Sequence, residues 1–184
     1  MEDDQKTKEQ LINELVELRQ RTAGWEISER ERKRAEYNLS KRVKELHCLY
    51  GIANIAERVG ITLGITLDEL YQEVVNLLPD AWQYPEITCA RITITNKEFK
   101  TEYCRETKWK QCSDIKVNEV KVGAVEVIYL EERPEADEGP FLKEERLLIV
   151  AVAEQLGRIT ERKQTEEELK QYSERLQELI EEVT

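Results

Sequence analysis

One phrase occurs twice in this chain, as Glu-Arg-Lys-Arg-Ala-Glu-Tyr-Asn-Leu at residues 31–39 and as Glu-Arg-Lys-Gln-Thr-Glu-Glu-Glu-Leu at residues 161–169. Five of the nine positions are identical, and another leucine follows each copy after seven residues, at Leu46 and at Leu176. Leucines at seven-residue intervals in a highly charged segment predict a long helix with one narrow apolar face. We therefore expect similar helices to enter and leave a globular centre, which suits signal transmission better than a free-standing enzyme.

The composition limits the classes of function that the chain can serve. Its 184 residues carry a net charge of −11, whereas a nucleic-acid surface would need a basic face. Residues 46–156 hold most of the β-branched and aromatic residues, enough for one folded domain. The sequence has neither a run of 18 apolar residues nor a secretory signal, so we expect a cytoplasmic protein without a membrane span.

The N-terminal segment keeps one heptad register from about residue 6 to residue 58. Such a helix is too long to be stable alone with a narrow apolar stripe, so it needs a partner helix. We expect a parallel homodimer, and the alternative is an antiparallel fold-back within one chain. The C-terminal segment after residue 161 predicts a second seam of the same kind. The predicted dimer seam comprises Leu11, Leu18, Leu39, Val43, Leu46, Tyr50, Leu169, Tyr172, Leu176 and Leu179.

The centre predicts a helix followed by hairpins. After a break at Gly60–Gly64, Thr66 and Glu69 form a capping box for a helix at 66–78, which Pro79 ends. Two hairpins follow, with turns at 96–98 and near 118–119, and the first hairpin's second strand is expected at 99–103. The predicted fold class is α+β, with an antiparallel sheet of about five or six strands.

Five stretches of the chain resemble a known family. Gly-Ala-Val-Glu-Val-Ile-Tyr-Leu-Glu at 123–131, with the helical segments at 141–148 and 151–156, resembles the closing half of a GAF domain. The stretch at 49–53 resembles its opening helix, and Trp82-Gln83-Tyr84-Pro85 is typical of the versions in microbial sensor kinases. The resemblance covers about residues 42–162. It implies a GAF/PAS-like sheet with helices packed on one face and long coiled-coil helices at both ends.

The resemblance leaves the ligand open, because GAF domains bind nucleotides, tetrapyrroles, haem, metals, small anions or nothing known. Only the ten residues from Cys104 to Ser113 separate the two hairpins, which leaves little room for the lid of a pocket. Cysteine thiolates can ligate haem or iron or form a disulfide, and Cys104 and Cys112 flank this connection. The sequence requires no cofactor, and haem or a small molecule is left as an alternative. The candidate ligand-binding residues are Cys89, Tyr103, Cys104, Trp109 and Cys112.

These observations predict three segments: a coiled-coil linker helix at 1–41, a GAF domain at 42–160 and a signalling helix at 161–184. The expected function is that of a dimeric regulatory module in a cytosolic two-component histidine kinase. Its partners are a second copy and neighbouring PAS, GAF or kinase domains, and any kinase activity lies outside this chain. The alternatives are a ligand-free dimerisation scaffold and, more remotely, a cysteine-based redox or haem sensor. His47, the only histidine, is expected to be a surface residue, because the glycine-rich boxes of a kinase are missing.

Overall fold

The computed structural model describes residues 7–59 and 64–183, with side chains described up to residue 181. The predicted break at Gly60–Gly64 lies largely outside these residues. The chain divides into two compact units, Met1–Val43 and Lys44–Thr184. Within the first unit, the described residues form a single helix whose leucines are exposed to solvent.

The second unit is an α+β domain, as the sequence predicts. Helix α1 (Lys8–Val59) contributes its last turns, and helix α2 (Leu67–Leu77) and helix α3 (Lys143–Val183) complete the helical layer. The strands are β1 (Thr88–Ile94), β2 (Lys97–Lys100), β3 (Lys110–Val117) and β4 (Val120–Tyr129). They form an antiparallel sheet in the order β2-β1-β4-β3.

The sheet has four strands in the described residues, fewer than the five or six expected. The first hairpin turns at Thr95–Asn96 rather than at 96–98, because Thr95 takes a left-handed φ of 55° and Ile94 pairs with Lys97. Strand β2 then ends at Lys100, and the expected strand at 99–103 gives way to a turn. The second hairpin turns at Asn118–Glu119, as predicted, and both residues have positive φ, as a type I′ turn requires.

One hydrophobic core joins the helices to a single face of the sheet. Side chains alternate between the two faces of a strand, so Ala90 and Ile92 of β1 face this core while Cys89 and Arg91 face the opposite way. We call the side that carries Cys89 and Arg91 the outer face. The core includes Ile52 and Ala56 of α1, Leu70 and Val74 of α2, Val125 and Val127 of β4, and Leu148, Val152 and Leu156 of α3.

Local signals fix the positions of the helices on this face. Thr66 and Glu69 form the predicted capping box of α2, with reciprocal hydrogen bonds of 3.2 and 2.7 Å. Gly157 allows α3 to pass very close to β3, because a Cβ atom there would lie 2.3 Å from the carbonyl oxygen of Lys116. The helical layer is therefore held in contact with the edge strand of the sheet.

Candidate functional site

The structure brings together two of the five candidate ligand-binding residues. Cys89 lies on β1 with 1% of its surface exposed, and the sulfur of Cys104 approaches its sulfur to 2.8 Å. Tyr103 is 87% exposed to solvent. Trp109 packs against the hydrophobic core, with the Lys108 ammonium 4.8 Å from its ring centroid.

The fifth candidate, Cys112, lies elsewhere. It is an exposed residue of β3, paired with Glu126 in the ladder, and it lines a groove of about 930 Å³ between β3 and α3. Sequence spacing suggested that Cys104 would approach Cys112 across the connection. The sulfur that Cys104 contacts is that of Cys89.

An ionic ring of four side chains, Arg91, Glu106, Lys110 and Glu126, joins the segment 101–109 to the outer face through Glu106. Arg91 contacts Glu126 at 2.5 Å and Glu106 at 2.8 Å, and Lys110 contacts the same two carboxylates at 3.3 and 2.6 Å. Lys110 and Arg91 hold the pKa of Glu106 below its ordinary value. The ring has no net charge, and each of its four side chains contacts two opposite charges. An ionic ligand at this place would have to displace existing ion pairs.

The described residues contain no group of three or more His, Cys, Asp or Glu side chains that could hold a metal ion. Over the same residues, no helix combines the length and apolarity that crossing a membrane requires. His47 is exposed, as expected for a surface residue.

All ten predicted seam residues are exposed in the single chain. In the first unit, Leu39 is 66% exposed, and Trp25 and Ile27 add to the apolar surface. In the second unit, Leu176 is 60% exposed and Ile180 widens the strip. Transfer of a leucine side chain from water to an apolar contact contributes about 1.5–3 kcal/mol. These strips therefore carry a large unused driving force for association.

Sequence reasoning missed the residues that join α1 to α3. The Arg162 guanidinium donates to the carbonyl of Ala56 at 3.3 Å, and the Lys163 ammonium donates to that of Val59 at 3.5 Å. The last carbonyls of a helix have no partner within the helix, and cations are favoured there. We call this contact the α1–α3 junction. The signal was the repeated phrase itself, since Arg162 and Lys163 belong to its second copy.

The first copy of the phrase makes ion pairs within its own helix. Arg32 pairs with Glu29 at 2.8 Å and with Glu36 at 3.1 Å, and both partners lie on its own helix. Arg162 likewise lies 3.9 Å from Glu166 on its own helix. This pair corresponds to that of Arg32 and Glu36 in the first copy. The second copy also contacts a second helix, at the α1–α3 junction.

A buried hydrogen bond lies beside the α1–α3 junction. The hydroxyls of Tyr71 on α2 and Thr160 on α3 are 2.7 Å apart, and Thr160 also donates to the carbonyl of Leu156 at 2.7 Å. Burial raises the pKa of Tyr71, so its hydroxyl stays protonated. All three helices of the second unit therefore have a polar contact within a few residues of Thr160.

The Trp-Gln-Tyr-Pro stretch has a structural role around a buried carboxylate. Glu145, which is 5% exposed, accepts from the backbone N–H groups of Gln83 and Leu142 at 2.7 Å each and from the Tyr129 hydroxyl at 3.3 Å. Burial and the Glu145 charge raise the pKa of Tyr129. This carboxylate ties the first turn of α3 to the segment before β1.

We compared the chain with protein-family models, curated proteins and solved structures. None of these comparisons found a match.

Proposed function

We propose that this chain is a GAF-like regulatory module of a sensor histidine kinase that works as a parallel homodimer. The observation that carries the proposal is the exposure of the α1 and α3 seams. Isolated helices with narrow apolar stripes are marginal in water, and heptad strips of this kind are stabilised by a matching strip. The two strips lie on the helices that enter and leave the domain, and a second copy would supply a matching strip for each.

The α1–α3 junction supports the relay part of the proposal. Arg162 and Lys163 follow directly after the part of α3 that packs on the sheet, and they precede the exposed α3 seam. A displacement of the last turn of α1 changes the acceptors of both cations. Packed helices shift between discrete arrangements. Such a displacement would therefore change how the α3 seams of the two copies pack against each other.

Sedimentation equilibrium tests the homodimer. We expect the parent chain to be dimeric and Leu39→Glu to raise the dissociation constant at least tenfold, because it places a charge in the seam. The matched control is Asn38→Glu, an exposed neighbour outside the seam, which should leave the dissociation constant unchanged. A parent chain that stays monomeric at working concentration would overturn the proposal.

Disulfide crosslinking tests the parallel arrangement. In a parallel, in-register dimer, position 18 lies beside its own copy, so oxidised Leu18→Cys should give a disulfide joining that position of two chains in a peptide map. Gln20→Cys, two positions away on the helix, should not. Crosslinking of Gln20→Cys but not Leu18→Cys would contradict the proposed seam.

A ligand-free dimerisation scaffold is the second candidate function. The observation that favours it is how the outer face is covered. The segment 101–109 contains no helix, and the charged side chains of the ionic ring already pair with one another, so an ionic ligand would have to displace them. Native mass spectrometry of protein purified without added ligand separates the two candidates. A co-purifying small molecule favours a sensor, and a bare dimer favours the scaffold.

A further inference from the structure

Two thiols from different parts of the chain meet on the outer face. Cys89 and Cys104 are fifteen residues apart, and their sulfurs lie 2.8 Å from each other. Cys89 is buried on β1, while Cys104 is partly open to solvent. The other two cysteines lie elsewhere, Cys48 in the helical core and Cys112 on the exposed edge of β3.

The backbone holds the two sulfurs in place from the β2 side. Thr101 donates its N–H to the carbonyl of Ala90 at 3.1 Å, and the Ala90 N–H donates to the Thr101 hydroxyl at 3.2 Å. A turn follows in which the Cys104 N–H donates to the Thr101 carbonyl at 3.4 Å and Tyr103 takes a φ of 58°. This left-handed residue turns the chain back, so that Cys104 lies over Cys89.

The ionic ring holds the other end of the segment. Glu106, two residues beyond Cys104, contacts both Arg91 and Lys110. The thiol pair is thus fixed between a backbone anchor at Thr101 and a charged anchor at Glu106. Two groups held in contact in this way react with each other far more readily than two groups on a flexible chain.

We propose that Cys89 and Cys104 form a reversible intramolecular disulfide, with a low-molecular-weight disulfide such as oxidised glutathione as the oxidant. The Cys104 thiolate attacks one sulfur of the oxidant, forms a mixed disulfide and releases one small thiolate. The Cys89 thiolate then attacks the Cys104 sulfur, closes the protein disulfide and releases the second small thiolate. The two protein thiols lose two protons and two electrons in total, and the oxidant becomes two thiols.

The environment of the pair sets the rate of this reaction. Burial and the neighbouring Cys89 raise the pKa of Cys104 to about 12, so only a small fraction is thiolate at neutral pH. Exchange with a small disulfide at neutral pH is therefore expected to be slow. Closing the bond joins Cys104, in the segment 101–109, covalently to Cys89 of β1.

Equilibration in glutathione redox buffers, followed by rapid alkylation and peptide mapping, tests the proposal. We expect a peptide pair joined through Cys89 and Cys104, and an equilibrium constant for its formation at least tenfold higher in the folded protein than in the urea-unfolded chain. The matched control is Cys112→Ser, which should leave that constant unchanged. Cys89→Ser should instead accumulate the mixed disulfide at Cys104.

Three results would overturn the proposal. One is equal equilibrium constants in the folded and unfolded chains. Another is a folded parent chain in which Cys112 acquires glutathione while Cys89 and Cys104 are both alkylated. The last is a bridge from Cys104 to Cys112. Since the decisive measurement uses the parent chain, it does not depend on the folding of any variant, and it is independent of the dimer.

Discussion

Arg162 of α3 donates a hydrogen bond of 3.3 Å to the carbonyl of Ala56, in the last turn of α1. The two residues are 106 positions apart, so this contact links the helix that enters the domain to the helix that leaves it. Lys163 repeats the link at Val59. Carbonyl groups in the last turn of α1 thus accept hydrogen bonds from side chains of α3.

A double variant with Arg162→Ala and Lys163→Ala should have a free energy of unfolding lower by about 1 kcal/mol, because two carbonyls at the end of α1 lose their charged donors in this variant. The control is Arg158→Ala, one turn earlier, where the side chain is exposed and pairs with Glu154 of the same helix at 3.6 Å. Urea denaturation gives the stabilities, and hydrogen exchange at residues 55–59 should accelerate only in the double variant. Equal effects in the two proteins would show that the junction does not stabilise α1.

Glu145→Ala should lower the free energy of unfolding by about 1–3 kcal/mol, because it leaves the partly buried backbone N–H groups of Gln83 and Leu142 without their acceptor. Glu144→Ala is the matched control, since Glu144 is its exposed neighbour in the same helical turn. Thermal and urea unfolding of the two variants measure the difference. A loss as small as that of the control would mean that water replaces the carboxylate at no cost.

Glu119→Gly should raise the free energy of unfolding by about 1 kcal/mol, because Glu119 holds a φ of 64° that glycine adopts without a steric penalty. Glu119→Ala removes the carboxylate but keeps the Cβ atom, so it should give no comparable gain. The comparison by urea denaturation separates backbone conformation from charge. A gain in the alanine variant equal to that of the glycine variant would assign the effect to charge instead.

The pairing of Glu138 with Arg146 should make stability depend on pH. The Arg146 guanidinium holds the pKa of Glu138 below its ordinary value of 4.5, and the same guanidinium donates to the Cys112 carbonyl. A carboxyl with a lowered folded-state pKa contributes stability above pH 4.5, and that contribution is lost as pH falls through its folded value. Glu138→Gln should therefore be less stable than the parent chain at pH 7, and the difference should become smaller at about pH 3. A difference that stays constant across urea titrations at both pH values would exclude the ionic origin.

Local patterns in the sequence were sufficient for part of the fold. The capping box of Thr66 and Glu69 and the turn at Asn118–Glu119 depend on neighbouring residues, and both occur where the sequence predicts them. The heptad leucines also predicted an apolar strip that the domain does not cover.

The contact of Cys89 with Cys104 was beyond prediction for a physical reason. The alternation at 99–103 favours a continuous strand, which would have carried Cys104 along the sheet. Instead, the backbone of Tyr103 takes a left-handed conformation and turns the chain back. Tyrosine has no intrinsic preference for this conformation, so the sequence carries no signal for it. The α1–α3 junction could not be predicted either, because Arg162 and Lys163 contact residues more than a hundred positions away in the sequence.

Gly157 restricts how α3 can move. A single added carbon at this position would already collide with Lys116 of the edge strand. Turning the helix about its long axis would bring a bulkier neighbour, such as Arg158, into the same gap and force the two elements apart. Motion that reaches the C-terminal end of α3 is therefore expected to be a tilt or slide in which β3 travels with it, and axial rotation at this level is sterically blocked.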